Sequence, residues 1–520
     1  MRRAAAIAAA ILLIGALYLL AGRRAAGEAG LPLDDAWIHA RLARSLAQGR
    51  GFGFNPGEHS AASSAPLWTL LLAVPAAAGL PFPWAAYLVG IGTTAALAAV
   101  AYRLAARVTS DREAGLLCGL LIVGTHPFPW AGLSGMETNL AATLVLGTIL
   151  AAFDGRTRAS LGFAAAAGMV RPELAALPTF VLVDSLLRMR PFSKAAALGS
   201  TLGCAGASFA PFLLDRMLTG LWLPGSFQAK VGRHGVLSAV LEGRTDLVPG
   251  IVVSNPSLYL VPLLAALLRD NGALLLLAPI GFRRFLERRP GTHLPWMIGL
   301  LLPSVMAIAA PFGGPLFHEQ RYIAPIVATM VVSGGIGLFA LPGRLSGRGI
   351  RRATIGVIVA LSAWGTWTGM DRYAREVKNI TDMQMHIGRW LRERPGGPGT
   401  IATNDIGAIG YATEAPILDL TGLASPEIIP YLRPAIPAAA GRGWNGASEA
   451  GLLEFLRARK PDYVVLFPSW YPSRFFQDAL GEAILRVDLE DNLICGDRTM
   501  IVYCPGWGAG VPWKDATSGD

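Results

Sequence analysis

The sequence predicts a polytopic α-helical membrane protein of about eleven spans, followed by a C-terminal α/β domain on the outer side. Three observations carry this. Of 520 residues, 53% are hydrophobic and 15% charged, too apolar for a soluble chain of this length. Apolar runs recur from residue 4 to residue 368, whereas beyond about 370 charges become frequent and strand-like runs appear. Basic clusters return at every second connection between the runs, as the charge rule for cytoplasmic loops requires.

The first run, 4–20, follows Arg2 and Arg3 and lacks a small-residue cleavage site, so it reads as an uncleaved anchor with a cytoplasmic N-terminus. Further runs lie at 84–105, 114–126, 137–153, 159–170, 173–187, 195–214, 271–282, 294–311, 322–341 and 353–368. Several are shorter than the ~20 residues of an ideal span. The short pair around Arg171 is expected to form embedded helices that meet inside the protein.

Arg103, Arg107 and Arg112 follow the second run, Arg156 and Arg158 the fourth, and Arg188, Arg190 and Lys194 the sixth. Arg283, Arg284, Arg288 and Arg289 follow the eighth, and Arg344, Arg348, Arg351 and Arg352 the tenth. The net charge of +10 is thus a matter of topology, and nucleic acid is not an expected partner. Pro66–Leu80 is also apolar, but as a span it would put the basic loops outside. It is expected as a juxtamembrane helix in an outer loop, 22–83, beside a second helical stretch at Trp37–Ala47. The outer loop 215–270 begins polar and ends in an interfacial helix.

Eleven spans leave the chain outside, which divides it into a transmembrane domain, 1–369, and a soluble extracytoplasmic domain, 370–520. The latter has ~150 residues, enough for its own core. Asp371–Arg394 and Gly451–Arg459 read as helices, Thr400–Thr403 and Asp462–Phe467 as strands, and Leu485–Val502 as closing strands. Cys495 and Cys504 flank a Gly-Asp-Arg turn, where an oxidising compartment would allow a disulfide.

The same parity gathers the polar motifs on the outer face. Asp34 and Asp35 are adjacent carboxylates beside the membrane. Such a pair suits a general base, since mutual repulsion raises one pKa and leaves the other acid ionised; first-turn acids capping a helix at Ala36–Leu46 fit as well. Arg171, at the break before Pro172, has the planar fork that holds a phosphate, or else pairs internally with Glu137 or Glu173. Lys230, His318 and Arg321 offer further positive charge for a phosphate, with Tyr322 following, while Lys230 and Arg321 also suit lipid headgroups. Glu137 complements a helix dipole or stands behind the aspartates. Asn404 and Asp405 run from a strand into a Gly-rich turn, Gly407 to Gly410, and either face substrate hydroxyls or close Asx turns. The carboxylates are compatible with a divalent cation, Mg²⁺, Mn²⁺ or Ca²⁺, but no ligand spacing requires one. Zinc, P-loop and Ser-His-Asp patterns are absent from the sequence.

Asp34-Asp35-Ala-Trp-Ile, Ala43-Arg-Ser-Leu-Ala-Gln-Gly-Arg-Gly51, Asn55-Pro-Gly-Glu58 and Pro66-Leu-Trp-Thr69 resemble the first outer loop of GT-C glycosyltransferases. The likeness is to the arabinofuranosyltransferase-like group of actinobacterial cell-wall enzymes in particular. Ser134-Gly-Met-Glu-Thr138, Arg171-Pro-Glu173, Leu223 to Lys230, Gln320-Arg-Tyr322 and Asn404 to Tyr411 are similar to later stretches of that group. The chain departs from it at Trp37, at Glu58–Ser64 and at Gly225. The resemblance implies a GT-C fold in a bacterial plasma membrane, a catalytic Asp in the first outer loop and inverting transfer of a sugar. It also implies a polyprenyl-phosphate-linked donor and a glycan, lipid or protein acceptor. A lipid or polysaccharide flippase, or an inactive glycan-binding scaffold, is the alternative; a flippase would favour charges through the bundle and internal repeats, and the charges here gather on one face.

Overall fold

The computed structural model describes residues 1–189, 193–222, 236–241, 243–309, 317–342, 347–432 and 446–507. Every predicted apolar run coincides with helix. The helices are Arg2–Ala26, Trp84–Thr109, Arg112–Gly124, Thr138–Phe153, Thr157–Val170, Leu177–Arg188, Lys194–Thr219, Val248–Arg288, a broken segment from Leu294 to Ala309, Ala324–Phe339 and Arg348–Ile380. Among the described residues, Arg2–Ala26, Trp84–Thr109, Lys194–Thr219 and Arg348–Arg392 are long and apolar enough to cross a membrane. A fifth is added if Tyr259–Asp270 and Gly272–Arg288, bent by 103°, count as one span. Eleven crossings are therefore more than length and composition alone support, since a 13-residue helix such as Arg112–Gly124 rises only about 20 Å.

The short helices differ from the long ones in what surrounds them. Thr138–Phe153 and Ala324–Phe339 are buried almost all round, the mark of interior helices. Arg2–Ala26, Lys194–Thr219 and Arg348–Ile380 instead expose Leu12, Leu13, Leu202, Val357 and Trp364, as lipid-facing helices do. Inside, small residues let backbones touch: a Cβ on Gly281 or Gly337 would strike Ser333 or Leu277 on the facing helix.

The first outer loop contains both expected helices, Asp34–Ala47 and Pro66–Ala77. Trp37, Trp68 and Leu72 from this loop share one core with Tyr373 and Val377 and with Ala408 and Ala412 of the outer domain. Residue 370, the expected domain boundary, lies within a continuous helix. Arg348–Ile380 runs through a π turn, Thr381–Met385, into His386–Arg392, so the span and the first outer-domain helix form one rod.

The outer domain has, among the described residues, a five-stranded sheet: β1 (Ile401–Thr403), β2 (Ile417–Asp419), β3 (Tyr463–Leu466), β4 (Glu482–Asp488) and β5 (Thr499–Cys504). The order is β2-β1-β3-β5-β4, with β2, β1 and β3 parallel and β5 antiparallel to both β3 and β4. Strand alternation sends Ile401 and Val465 to a core with Ile387, Leu391 and Ile409. Ala402 and Val464 pack oppositely, against Leu452, Phe455 and Leu456. Helices thus cover both faces, as a parallel sheet needs.

Two expectations are corrected here. The Gly407–Gly410 stretch is a helix, Gly407–Thr413, because its glycines serve close approach rather than a turn. Cys495 and Cys504 are not joined: both are free, Cys495 lying against Gln384 and Cys504 paired with Glu482 at the end of β5.

Candidate active site

Asp34 and Asp35 open the helix Asp34–Ala47, whose N-cap residue is Leu33. One residue along a helix turns the side chain by about 100°, so the neighbours face different bodies. Asp34 faces the outer domain. Its Oδ2 accepts the Gly407 N–H and its Oδ1 the Ala408 N–H, both at 2.7 Å. These are orphan donors of the first turn of Gly407–Thr413. Seven and ten residues on, the same loop helix reaches the other end of that helix: Arg41 donates to the Gly410 and Ala415 carbonyls at 2.8 and 2.7 Å, and Arg44 to that of Tyr411 at 2.8 Å. An acid at the N-terminus and two guanidiniums at the C-terminus complement the whole dipole. Gly407 is required in this contact, since a Cβ there would strike the Asp34 carbonyl oxygen, which is backbone; at Gly410 a Cβ would crowd Arg41 Nη1, which would have to shift. The capping alternative read from the sequence is therefore right in kind, but the helix that is capped lies 373 residues downstream.

Asp35 faces the membrane domain. Its Oδ2 accepts Arg321 Nη2 at 2.6 Å, and its side chain is 26% exposed. Arg321 is 4% exposed. Its Nη2 also donates to the Tyr322 hydroxyl at 2.9 Å, while Nε and Nη1 find no hydrogen-bond acceptor among the described residues. Buried donors are almost always paired, and an unpaired one costs about 1–3 kcal/mol. Arg321 thus carries two unmet donors of the kind that bind a phosphate oxygen.

Arg171 is settled differently. Its Nη1 donates to Glu137 Oε1 at 2.8 Å and its Nε to Glu173 Oε1 at 2.7 Å. This is the internal pairing, with both acids at once, and it neutralises the guanidinium where the sequence also allowed a phosphate clamp. The two arginines are linked through Tyr322, whose ring centroid lies 4.6 Å from Arg171 Cζ and 4.9 Å from Arg321 Cζ. Glu137 is buried, and its Oε2 lies 3.9 Å from His39 Nε2. Burial, opposed by the Glu137 charge, holds His39 below its ordinary pKa, and its Nδ1 lies 2.9 Å from the Thr69 hydroxyl.

The segment that delivers Arg321 is unusual. His318, Glu319 and Gln320 have φ of 45°, 57° and 60°, a left-handed run that costs non-glycine residues roughly 1–2 kcal/mol each. The neighbouring contacts hold it: Glu319 binds Arg372 Nε at 2.7 Å and faces His126 Nε2 at 3.4 Å, and Gln320 donates to Asp270 at 2.6 Å. His318 is half-buried on this turn, and Lys230 lies outside the described residues.

From the outer domain, Asp405 joins the acidic patch. Its Oδ2 accepts Gln384 Nε2 at 2.6 Å. Burial, opposed by the Gln384 hydrogen bond and aided by the Asp35 charge, pushes its carboxyl up to about 7. Burial and then the Asp405 charge push Asp34 upward too, against its two amide donors. The Asp35 charge acts upward on both Asp34 and Asp405, as like charges gathered in one place do. Asn404 is buried and donates to the Tyr471 hydroxyl at 2.7 Å. Of the residues expected from the sequence, Asp35, Arg321, Tyr322, Arg171, Glu137 and Glu173 are joined by direct contacts, whereas Asp34 bonds to the outer domain and Asn404 within it. Arg41, Tyr471 and Gln384 are not among those expected, and no spacing pattern distinguishes those three from ordinary core and loop positions. Among the described residues no group of three His, Cys, Asp or Glu side chains converges to hold a metal ion.

A domain of unknown function, DUF8728, matches residues 378–503, the outer domain. No curated protein matches the chain by sequence. Solved structures do match by shape. The Archaeoglobus fulgidus oligosaccharyltransferase in its apo form aligns over 89% of this chain and 69% of its own, with 13% identity and a TM-score of 0.57. ArnT from Cupriavidus metallidurans bound to undecaprenyl phosphate aligns over 96% of this chain and 99% of its own, with 14% identity and a TM-score of 0.56. The Archaeoglobus enzyme AglB in complex with an inhibitory peptide and a dolichol-phosphate aligns over 88% and 69%, with 13% identity and a TM-score of 0.54. At such identities the likeness is one of fold: the chain shares with these structures a helical membrane domain followed by an outer domain.

Proposed function

We propose that this chain is an inverting glycosyltransferase of the membrane's outer face, moving a sugar from a polyprenyl-phosphate donor to a hydroxyl of a cell-envelope glycan, lipid or protein. The observation that carries the reading is the Asp35–Arg321 pair, a carboxylate bonded to a buried guanidinium that retains two unmet donors. It is supported by the shared fold with a protein solved with undecaprenyl phosphate and one solved with a dolichol-phosphate.

Asp35 takes the proton of the acceptor hydroxyl as its oxygen attacks the anomeric carbon. The bond from that carbon to the phosphate oxygen breaks, and its electron pair leaves with the lipid phosphate, so the centre inverts. Arg321 holds the departing phosphate through Nε or Nη1 while Nη2 keeps Asp35 in place. Positioned charge of this kind acts where negative charge develops. Asp34 is a positioning residue, anchoring the loop helix on the outer domain, and Arg171 with Glu137 and Glu173 forms the wall behind Tyr322. The sequence resemblance favours a pentose such as arabinofuranose as the sugar, and the parity of basic loops favours eleven crossings with the outer domain extracytoplasmic.

The test is transfer from a radiolabelled polyprenyl-phosphate sugar by the purified full chain and by Asp34→Asn, Asp35→Asn and the double variant. Loss of transfer in Asp35→Asn with the fold retained is expected. Full turnover by all three variants ends the proposal.

A further inference from the structure

The outer domain has a second candidate site, at the carboxyl end of its parallel strands. In the order β2-β1-β3, the chain leaves β1 for β2 on one side and returns across to β3 on the other. The connecting helices accordingly lie on opposite faces, Gly407–Thr413 on one and Gly446–Arg459 on the other. The gap between β1 and β3 is therefore a topological switch point, and in open α/β sheets ligands bind in the crevice outside the carboxyl strand ends at such a point. Asn404 immediately follows β1, and Tyr471 lies shortly beyond β3.

The side chains there carry an independent sign of a ligand. Asn404 is 4% exposed; its Nδ2 donates to the Tyr471 hydroxyl at 2.7 Å, while its Oδ1 has no hydrogen-bond partner among the described residues. That oxygen is shut off from bulk water and unsatisfied, which costs about 1–3 kcal/mol. An amide carbonyl in this position has the capacity to accept one O–H or N–H.

The neighbouring charges decide the ligand's class. In sheets of this topology an anion is normally received by the N-terminus of the helix after β1. Here the Gly407 and Ala408 N–H groups are already taken by Asp34 at 2.7 Å. Asp405 and Asp419 stand at the ends of β1 and β2, and Asp419 also raises Asp405. A phosphate is disfavoured by both facts, whereas a neutral polyol is not.

We propose that the β1–β3 crevice binds a neutral, hydroxyl-rich ligand, with Asn404 Oδ1 accepting one of its hydroxyls and Tyr471 fixing the amide. Resting on the proposed transferase reading, this ligand is a sugar unit of the acceptor. The strand end that carries Asn404 leads directly into Asp405 and the helix capped by Asp34, so a glycan seated there extends toward Asp35.

Saturation-transfer NMR on the full chain in lauryldimethylamine oxide, a detergent without sugar, tests this with methyl α-arabinofuranoside, methyl β-galactofuranoside and methyl α-mannopyranoside as probes. At least one glycoside is expected to receive saturation and to resist displacement by inorganic phosphate. Asn404→Ala is expected to weaken its binding about tenfold, the equivalent of one lost hydrogen bond of roughly 1.4 kcal/mol. Tyr471→Phe, which keeps the ring stacked on Phe476, should weaken binding in the same direction and covers the case in which Asn404→Ala does not fold. Saturation of no glycoside, displacement by phosphate, or unchanged binding in a folded variant overturns the proposal. Failure of the transferase reading shows separately, as absent transfer from the lipid donor with the glycoside signal intact.

Discussion

Asp34 and Asp35 are neighbours in sequence and are identical in chemistry, yet they belong to different parts of the molecule. Asp34 is fixed by two backbone amides of the outer domain; Asp35 is held by one membrane-domain guanidinium and keeps a quarter of its side chain exposed. The difference teaches that an acidic doublet beside a bilayer is not a pair of equivalent bases. One carboxylate joins the two domains and the other stays partly exposed beside Arg321. Arg171 and Arg321 repeat the lesson, since both guanidiniums lie over Tyr322, but one is neutralised by two acids and the other retains unmet donors.

The largest expected effect separates the aspartates. Asp35→Asn removes the proton acceptor and is expected to lower kcat about 10²–10⁴-fold, without a change in thermal unfolding beyond that of losing one partly exposed ion pair. Equal losses in Asp34→Asn and Asp35→Asn would dissolve the distinction. Next comes Arg321→Gln, which removes the buried cation and leaves Asp35 without its partner. A loss of about 10²–10³-fold in kcat/KM is expected, the scale of one donor at a developing negative charge. Arg171→Gln should instead show chiefly as lowered stability, since the buried Glu137 and the partly buried Glu173 lose their partner; a larger kinetic loss there than at Arg321 would exchange the roles of the arginines.

Much of this was legible in the sequence for a definite reason. Apolar periodicity reports the medium around each helix, so the predicted runs folded largely as helix among the described residues, and Asp35, Arg321, Arg171 and Glu137 came together. Domain contacts were not legible. Gly407 and Gly410 read as turn residues because glycine signals a missing Cβ without saying whether conformation or space requires it; only the approach of Asp34 and Arg41 supplies the answer. Strand β2, three residues long, is too short for a period-2 pattern. The sequence offered Arg171 both a phosphate and an internal pairing with Glu137 or Glu173; Glu173 is nearby in the chain, but Glu137 lies 34 residues away and only folding brings it to Arg171.

Gly407→Ala probes the contact from the outer domain. The added methyl meets the Asp34 carbonyl oxygen, which is backbone and cannot swing away, so overpacking of about 1–3 kcal/mol is expected. It should appear as lowered unfolding temperature and as protease sensitivity where Ala408 and Ala412 pack on Trp37. A catalytic loss would follow only through displacement of the loop helix, hence smaller than that of Asp35→Asn. An alanine variant as stable and active as the parent would show that Asp34 does not depend on this close approach.

The smallest effect is a pH dependence. Asp405 is raised to about 7 in the folded chain, from an ordinary carboxyl value near 4. A folded pKa above the unfolded one means that the unfolded chain gives up its proton first, so stability falls as pH rises from about 4 to about 7 and levels off above. Asp405→Asn keeps an oxygen for the Gln384 amide but has no charge to bury. It is expected to match the parent in unfolding temperature at pH 4 and to exceed it progressively up to pH 7. Because the Asp405 charge also raises Asp34, its removal should lower the Asp34 carboxyl and strengthen the cap on Gly407 and Ala408 at neutral pH. A variant less stable than the parent at pH 7 would mean that Asp405 is ionised and paired in the folded chain, and the acidic patch would then have to be held by a cation.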